Sequence, residues 1–191
     1  MSFLLVAQQP DAIAARRAFL GKSGLLLSGA AVALLSGREA LAKGQASTAA
    51  DVSILNTALG AELEAIAAYQ LGAESGLLQK PVLDLAVTFQ GHHKEHADLL
   101  AKTVAKLGGK PVAAKAKYAF PVETLKSQND VLRFAATLEK GAVSAYLGAV
   151  PLFGNRDLAK AAASILGDEA MHWAILRNAL GEVPVPTAFM S

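Results

Sequence analysis

Phe89-Gln90-Gly91-His92-His93-Lys94-Glu95-His96-Ala97-Asp98-Leu99-Leu100 holds three of the four histidines of this 191-residue chain. Around it, a 3-4 spacing picks out Val82, Ala86, Phe89, His93, His96, Leu100, Thr103 and Leu107. That is the buried face of an amphipathic helix, with two imidazoles in the middle of its apolar stripe. The fourth histidine lies in Glu169-Ala170-Met171-His172, on a stripe of Leu158, Ala162, Ile165, Glu169, His172, Leu176 and Ala179. Two more stripes carry one glutamate each at the same level. They are Leu55, Leu59, Glu62, Ile66, Tyr69, Ala73 and Leu132, Ala136, Glu139, Val143, Tyr146, Val150. Four such seams, apolar at both ends and polar at the centre, describe an all-α antiparallel bundle. Burying carboxylates and imidazoles costs several kcal/mol unless something compensates them. A metal shared by the four helices is the natural compensator.

The breakers set the topology. The first helix is expected over about 51–75, stopped by Gly76. Pro81 suits the first turn of the second helix, and Gly108-Gly109 closes it. The third is expected from Ser127 or Asn129 to near Pro151–Gly154, the fourth from an Asn155 cap to Gly181. The first and last connections are short, so they make hairpins. The middle one, 109–127, is long enough to run the length of a bundle. The hairpins also repeat: Glu62 and Glu139 each lie seven residues after a leucine and seven before a tyrosine. His93-x-x-His96 and Glu169-x-x-His172 take equivalent places, and a pseudo-twofold axis would bring all four polar segments together.

Composition narrows the chemistry. Cysteine is absent, so disulfides, thiolate ligands and thiol nucleophiles are excluded. The chain is 53% hydrophobic, enough for a core without cross-links. Its net charge is +2, but residues 1–42 hold four basic and two acidic residues, which leaves 14 of each beyond them. Such a balanced surface argues against nucleic acid as a partner. In the leader, Arg16-Arg17-Ala18-Phe19-Leu20 precedes an apolar run from Gly24 to Leu35, then Ala40-Leu41-Ala42. Basic, apolar and small-x-small regions in that order resemble a twin-arginine export signal. The apolar run is too short for a stable membrane span. The expected organisation is signal peptide 1–42, linker 43–50, bundle 51–181 and irregular tail 182–191. It implies the twin-arginine translocase as a transient partner and a periplasmic or otherwise extracytoplasmic location. Homodimerisation is left open.

Residues three apart on a helix share a face one turn apart, so a carboxylate and an imidazole so spaced can hold one metal or bridge to a second. In these residues, in the helix order and in the long crossover, the chain resembles the ferritin-like superfamily, in particular exported ferritin-like proteins of bacteria. The resemblance implies a carboxylate-bridged di-iron or di-manganese centre with ligands Glu62, His96, Glu139, Glu169 and His172. His93 stands where that pattern has a bridging glutamate, and it joins the set as a sixth candidate. It leaves one bridge, Glu169, and three carboxylates, so a single metal, zinc or copper also fits. His92 and Glu95 lie off the stripe, on the surface or supporting a ligand from outside. Tyr69 and Tyr146 are expected to lean toward the polar layer and hydrogen-bond a ligand. Trp173 is expected to pack away from it. The implied function is redox chemistry on dioxygen or peroxide. The rival is a non-catalytic metal-sequestering or envelope stress bundle with a relic or mononuclear site. No fifth helix or acidic inner surface points to a storage cage.

Overall fold

The computed structural model describes residues 44–190. The export signal expected at 1–42 lies outside them. Among the described residues four α-helices form: α1 (Gly44–Glu74), α2 (Lys80–Lys106), α3 (Gln128–Ala149) and α4 (Arg156–Ala179). Among the described residues there is no strand. The expected linker differs: residues 44–50 continue α1 instead of preceding it. Ala46, Ala49 and Ala50 are strong helix formers, and no glycine or proline after Gly44 interrupts them.

The ends of the helices follow their capping residues. Ser127 caps α3 by accepting from the Asp130 amide, and Asn155 caps α4 by accepting from the Asp157 amide. Pro81 sits in the first turn of α2. Gly108, just past α2, adopts a left-handed φ of 80°, the usual helix stop. Gly109 has a different reason: a Cβ there would lie 2.6 Å from Val52 Cγ1 and 3.1 Å from Val104 Cγ1. The crossover therefore leaves α2 pressed against α1, and Asn56 fixes it there. Its side chain donates to the Lys110 carbonyl (3.0 Å) and accepts from the Val112 amide (2.9 Å).

The main packing is α1 on α2 and α3 on α4, with α1 also meeting α3 and α2 meeting α4. This is the expected pair of hairpins with one long crossover. Two apolar clusters fill the bundle. Leu55, Leu59, Leu100, Val104, Phe153 and Ile165 belong to one; Tyr69, Phe89, Leu132, Trp173 and Leu176 belong to the other. The polar centre of every seam lies between them. One register differs from the sequence reading: Val104, not Thr103, is the fully buried residue near the end of α2. Asp51 is a buried carboxylate that accepts from the Gly154 (2.8 Å) and Asn155 (3.1 Å) amides. It ties α1 to the α3–α4 turn.

Candidate metal centre

The six side chains expected to meet do so. Glu62, His93, Glu139, Glu169 and His172 are each at most 3% exposed, and His96 is partly buried, with 14% of its side chain exposed. Their ligating atoms fall into two overlapping groups, Glu62–His93–His96–Glu169 and His93–Glu139–Glu169–His172. Within each group one donor atom per residue lies within 4.8 Å of the others. His93 and Glu169 belong to both. The glutamate of α4 and the histidine that replaces its counterpart on α2 thus occupy the shared middle, as the pseudo-twofold repeat requires.

His93 is fully used by hydrogen bonds. Its Nδ1 lies 2.8 Å from Glu62 Oε2 and its Nε2 lies 3.3 Å from Glu139 Oε1. Burial alone would disfavour the charged ring, but the Glu139 and Glu62 carboxylates overcome it and push the pKa up to about 11. An imidazolium therefore links the carboxylates of α1 and α3.

The other donors behave differently. His96 Nδ1, His172 Nδ1, Glu139 Oε2 and both Glu169 oxygens are buried and make no hydrogen bond. They are nevertheless close together. His96 Nδ1 is 3.1 Å from Glu169 Oε1, and His172 Nδ1 is 3.7 Å from Glu169 Oε2. Their contacts are ion pairs without hydrogen-bond geometry, so the five atoms are placed to turn to one common partner. Oxygen and imidazole nitrogen donors converging without bonding one another are a donor set that fits a transition-metal ion.

The same crowding moves protons. Burial lowers the pKa of His96, but Glu169 and Glu62 raise it to about 9. Burial likewise works against His172, which Glu139 and Glu169 raise to about 9. Burial would raise Glu62 and Glu139, yet their imidazole neighbours hold both below the usual carboxylate range. Metal-free, the Glu62 and Glu139 carboxylates face three imidazoliums, and a metal would displace protons from the rings it binds.

The supporting residues come in pairs. The Tyr69 hydroxyl donates to Glu139 Oε1, and the Tyr146 hydroxyl donates to Glu62 Oε1 at 2.6 Å. Burial and then the adjacent carboxylate charge push both phenols well above their ordinary range, so both stay donors. The tyrosine–ligand bond was legible in sequence; its crosswise pattern, α1 to α3 and back, comes from the repeat. Asp168 was missed. Its Oδ2 lies 3.4 Å from His96 Nε2 and 3.2 Å from His172 Nε2. It holds the outer nitrogens of both rings, leaving each Nδ1 aimed inward. Its i, i+4 spacing to His172 was the available signal. Glu95 is exposed and takes no part, and Trp173 packs in the apolar core. His92 supports the layer from outside, with Nδ1 2.9 Å from His172 Nε2.

Fold and cluster together define a four-helix bundle with a buried histidine–carboxylate layer that can hold metal. The chain belongs to the ferritin-like domain family, whose sequence model matches residues 50–182. Two solved structures share the fold. A conserved hypothetical protein of Mycobacterium tuberculosis superposes with a TM-score of 0.65 at 24% identity, over 75% of this chain and 99% of that one. A ferritin-like, diiron-carboxylate protein of Bacillus anthracis does so with a TM-score of 0.60 at 20% identity, over 70% and 97%. No curated protein matches.

Proposed function

We propose that this chain is an exported metal-binding protein that carries out redox chemistry on dioxygen or peroxide in the central layer. The observation that carries the reading is the set of five buried donor atoms without hydrogen bonds, divided between two overlapping four-residue groups. The diiron-carboxylate neighbour from Bacillus anthracis supports a pair of iron ions, and manganese suits the same donors. Glu62, His96, Glu139, Glu169 and His172 would hold the metal, with Glu169 shared between two positions. When bound, the metal would supply electrons by changing its oxidation state.

The residues of the chain do the rest. Tyr69 and Tyr146 hold the terminal carboxylates Glu139 and Glu62 in place. Asp168 fixes the orientation of His96 and His172. The apolar clusters on either side exclude bulk water, which strengthens every charge interaction inside. Export through the twin-arginine translocase to the periplasm or its equivalent belongs to the same proposal and rests on Arg16-Arg17 and the run to Ala42. That pathway carries folded proteins, so the centre could be loaded beforehand. N-terminal sequencing of the protein from an extracytoplasmic fraction tests this; a start near Lys43 is the expected result.

A specific observation favours a second reading. His93 spans Glu62 and Glu139 by hydrogen bonds to both, so it can act as a permanent internal cation. The chain would then hold one metal or none, zinc or copper included, and serve as a sequestering or structural bundle. Elemental analysis of natively exported protein, followed by ferrous-oxidation and peroxide-consumption assays, separates the two. Two redox metals per chain with turnover supports the first; at most one metal without turnover supports the second.

A further inference from the structure

A third group of ligating atoms lies on the solvent side of the central layer. His92 Nδ1 lies 3.1 Å from Asp168 Oδ2 and 2.9 Å from His172 Nε2, and Asp168 Oδ2 lies 3.2 Å from His172 Nε2. These three residues can present one donor each within 4.8 Å of one another. They also step inward. The side chains of His92, Asp168 and His172 are 41%, 22% and 2% exposed. The cluster therefore runs from solvent to the ring that closes the centre.

We propose that His92, Asp168 and His172 form an outer capture site for a divalent cation, from which His172 passes the ion to the central layer. The proposal rests on the metal-centre reading above. The geometry of His172 carries it. Its Nε2 faces the outer cluster, and its Nδ1 faces Glu139 Oε1 at 3.5 Å and Glu169 Oε2 at 3.7 Å. A single imidazole cannot ligate ions at both nitrogens without losing its second proton. Outer and inner occupancy through this ring therefore alternate, which makes the outer position a waypoint. While the ion sits at Nε2, the ring proton is on Nδ1, beside the central carboxylates. When the ion moves to Nδ1, that proton passes to solvent water, and Nε2 takes one up from solvent and with it donates a hydrogen bond to Asp168. The protein as a whole neither gains nor loses a proton in the exchange. Asp168 has a part in both states: as a ligand outside, and as the acceptor that holds His172 once the ion is inside. Phe89 stacks on the His172 ring with centroids 4.0 Å apart and keeps it in this place.

The test is the rate of filling. Metal-free full-length protein is mixed with Co(II) without oxygen, and the visible absorption of the bound ion is followed by stopped flow. Elemental analysis then counts the ions. His92→Phe removes the outer imidazole while keeping a ring to stack on His172, now 5.1 Å away by centroid. It should slow filling roughly tenfold, in line with the loss of local cation capture. Its final stoichiometry and spectrum should equal the wild type's. Asp168→Asn keeps a hydrogen-bond acceptor but loses the charge, and should slow filling as well. Should His92→Phe fail to fold, His92→Gln, read by the same rate and final stoichiometry, takes its place. Filling at the wild-type rate overturns the proposal. So does loss of one bound ion in His92→Phe, which would make His92 a permanent ligand. Wild-type protein that takes up no Co(II) at all overturns the metal-centre reading and this one with it, and is recognised before any variant is compared.

Discussion

His93→Glu should make the metal-free protein fragile and the metal-bound protein better loaded. The ring it removes makes two hydrogen bonds to carboxylates, at 2.8 Å to Glu62 and 3.3 Å to Glu139. Each charge-assisted bond contributes about 1.5–3 kcal/mol. With its pKa near 11, His93 is a cation at neutral pH. The substitution takes that charge away and adds a fourth carboxylate beside Glu62, Glu139 and Glu169. The metal-free cost is therefore at least about 3–6 kcal/mol before like-charge repulsion. At about 3 °C per kcal/mol for a domain of this size, the melting temperature should fall by about 10–20 °C. Iron(II) or manganese(II) should restore it, because ions binding only the folded state add stability by mass action. The second of the two ions should be held more tightly than in the wild type. Zinc and copper should gain less, since losing an imidazole costs them more. Scanning fluorimetry with and without chelator, and elemental analysis of wild type and variant loaded in parallel, read both effects. The reasoning is refuted if the metal-free variant melts with the wild type. It is also refuted if the variant binds fewer ions of every kind, because His93 would then be an essential ligand.

The metal-free wild type should be most stable between about pH 5 and 6.5. His93, His96 and His172 have raised folded pKa values, so their stabilisation is complete below 6.5 and fades as pH rises through about 9 and then 11. Glu62 and Glu139 are lowered, so theirs is present above about 4.5 and lost as pH falls. Chelator-treated melting curves across pH check this, and a melting temperature that climbs from pH 6.5 to 9 contradicts it. Tyr146→Phe leaves a Glu62 oxygen without its donor and should cost about 1.5–3 kcal/mol, read by denaturant unfolding, with weaker metal affinity. Asp51→Ala strips two amides of their acceptor. It should cost about 2–3 kcal/mol while metal stoichiometry stays at the wild-type value, because Asp51 lies outside the polar layer.

The fold was legible because each helix has one apolar seam and clear breakers at its ends. The central layer was legible because a charged residue in mid-seam, as at Glu62 or Glu139, has nowhere to go but inward. Periodicity says less about residues beside the seam. Asp168 is adjacent to Glu169 in sequence and reads as a surface acid. Its i, i+4 spacing reaches His172, and the placement of α2 against α4 adds His96. His92 was rightly kept off the stripe, but its contact with His172 depends on helix rotation, which a 3-4 spacing leaves free by a few tens of degrees. The same freedom exchanged Thr103 for Val104. Asp51 stands at the expected start of the first helix, and nothing local shows that the α3–α4 turn passes above it. The early start of α1 was hidden because small residues suit both a linker and a helix.

The central claim is that metal occupies the layer between Glu62, His93, His96, Glu139, Glu169 and His172. Anomalous scattering at the iron, manganese, zinc and copper edges, from crystals of natively exported protein purified without chelator, tests it most directly. The account predicts peaks within that layer, flanked by Glu169 and by the Nδ1 atoms of His96 and His172. A layer without any anomalous peak, with His93 still bonded to Glu62 and Glu139, would contradict it.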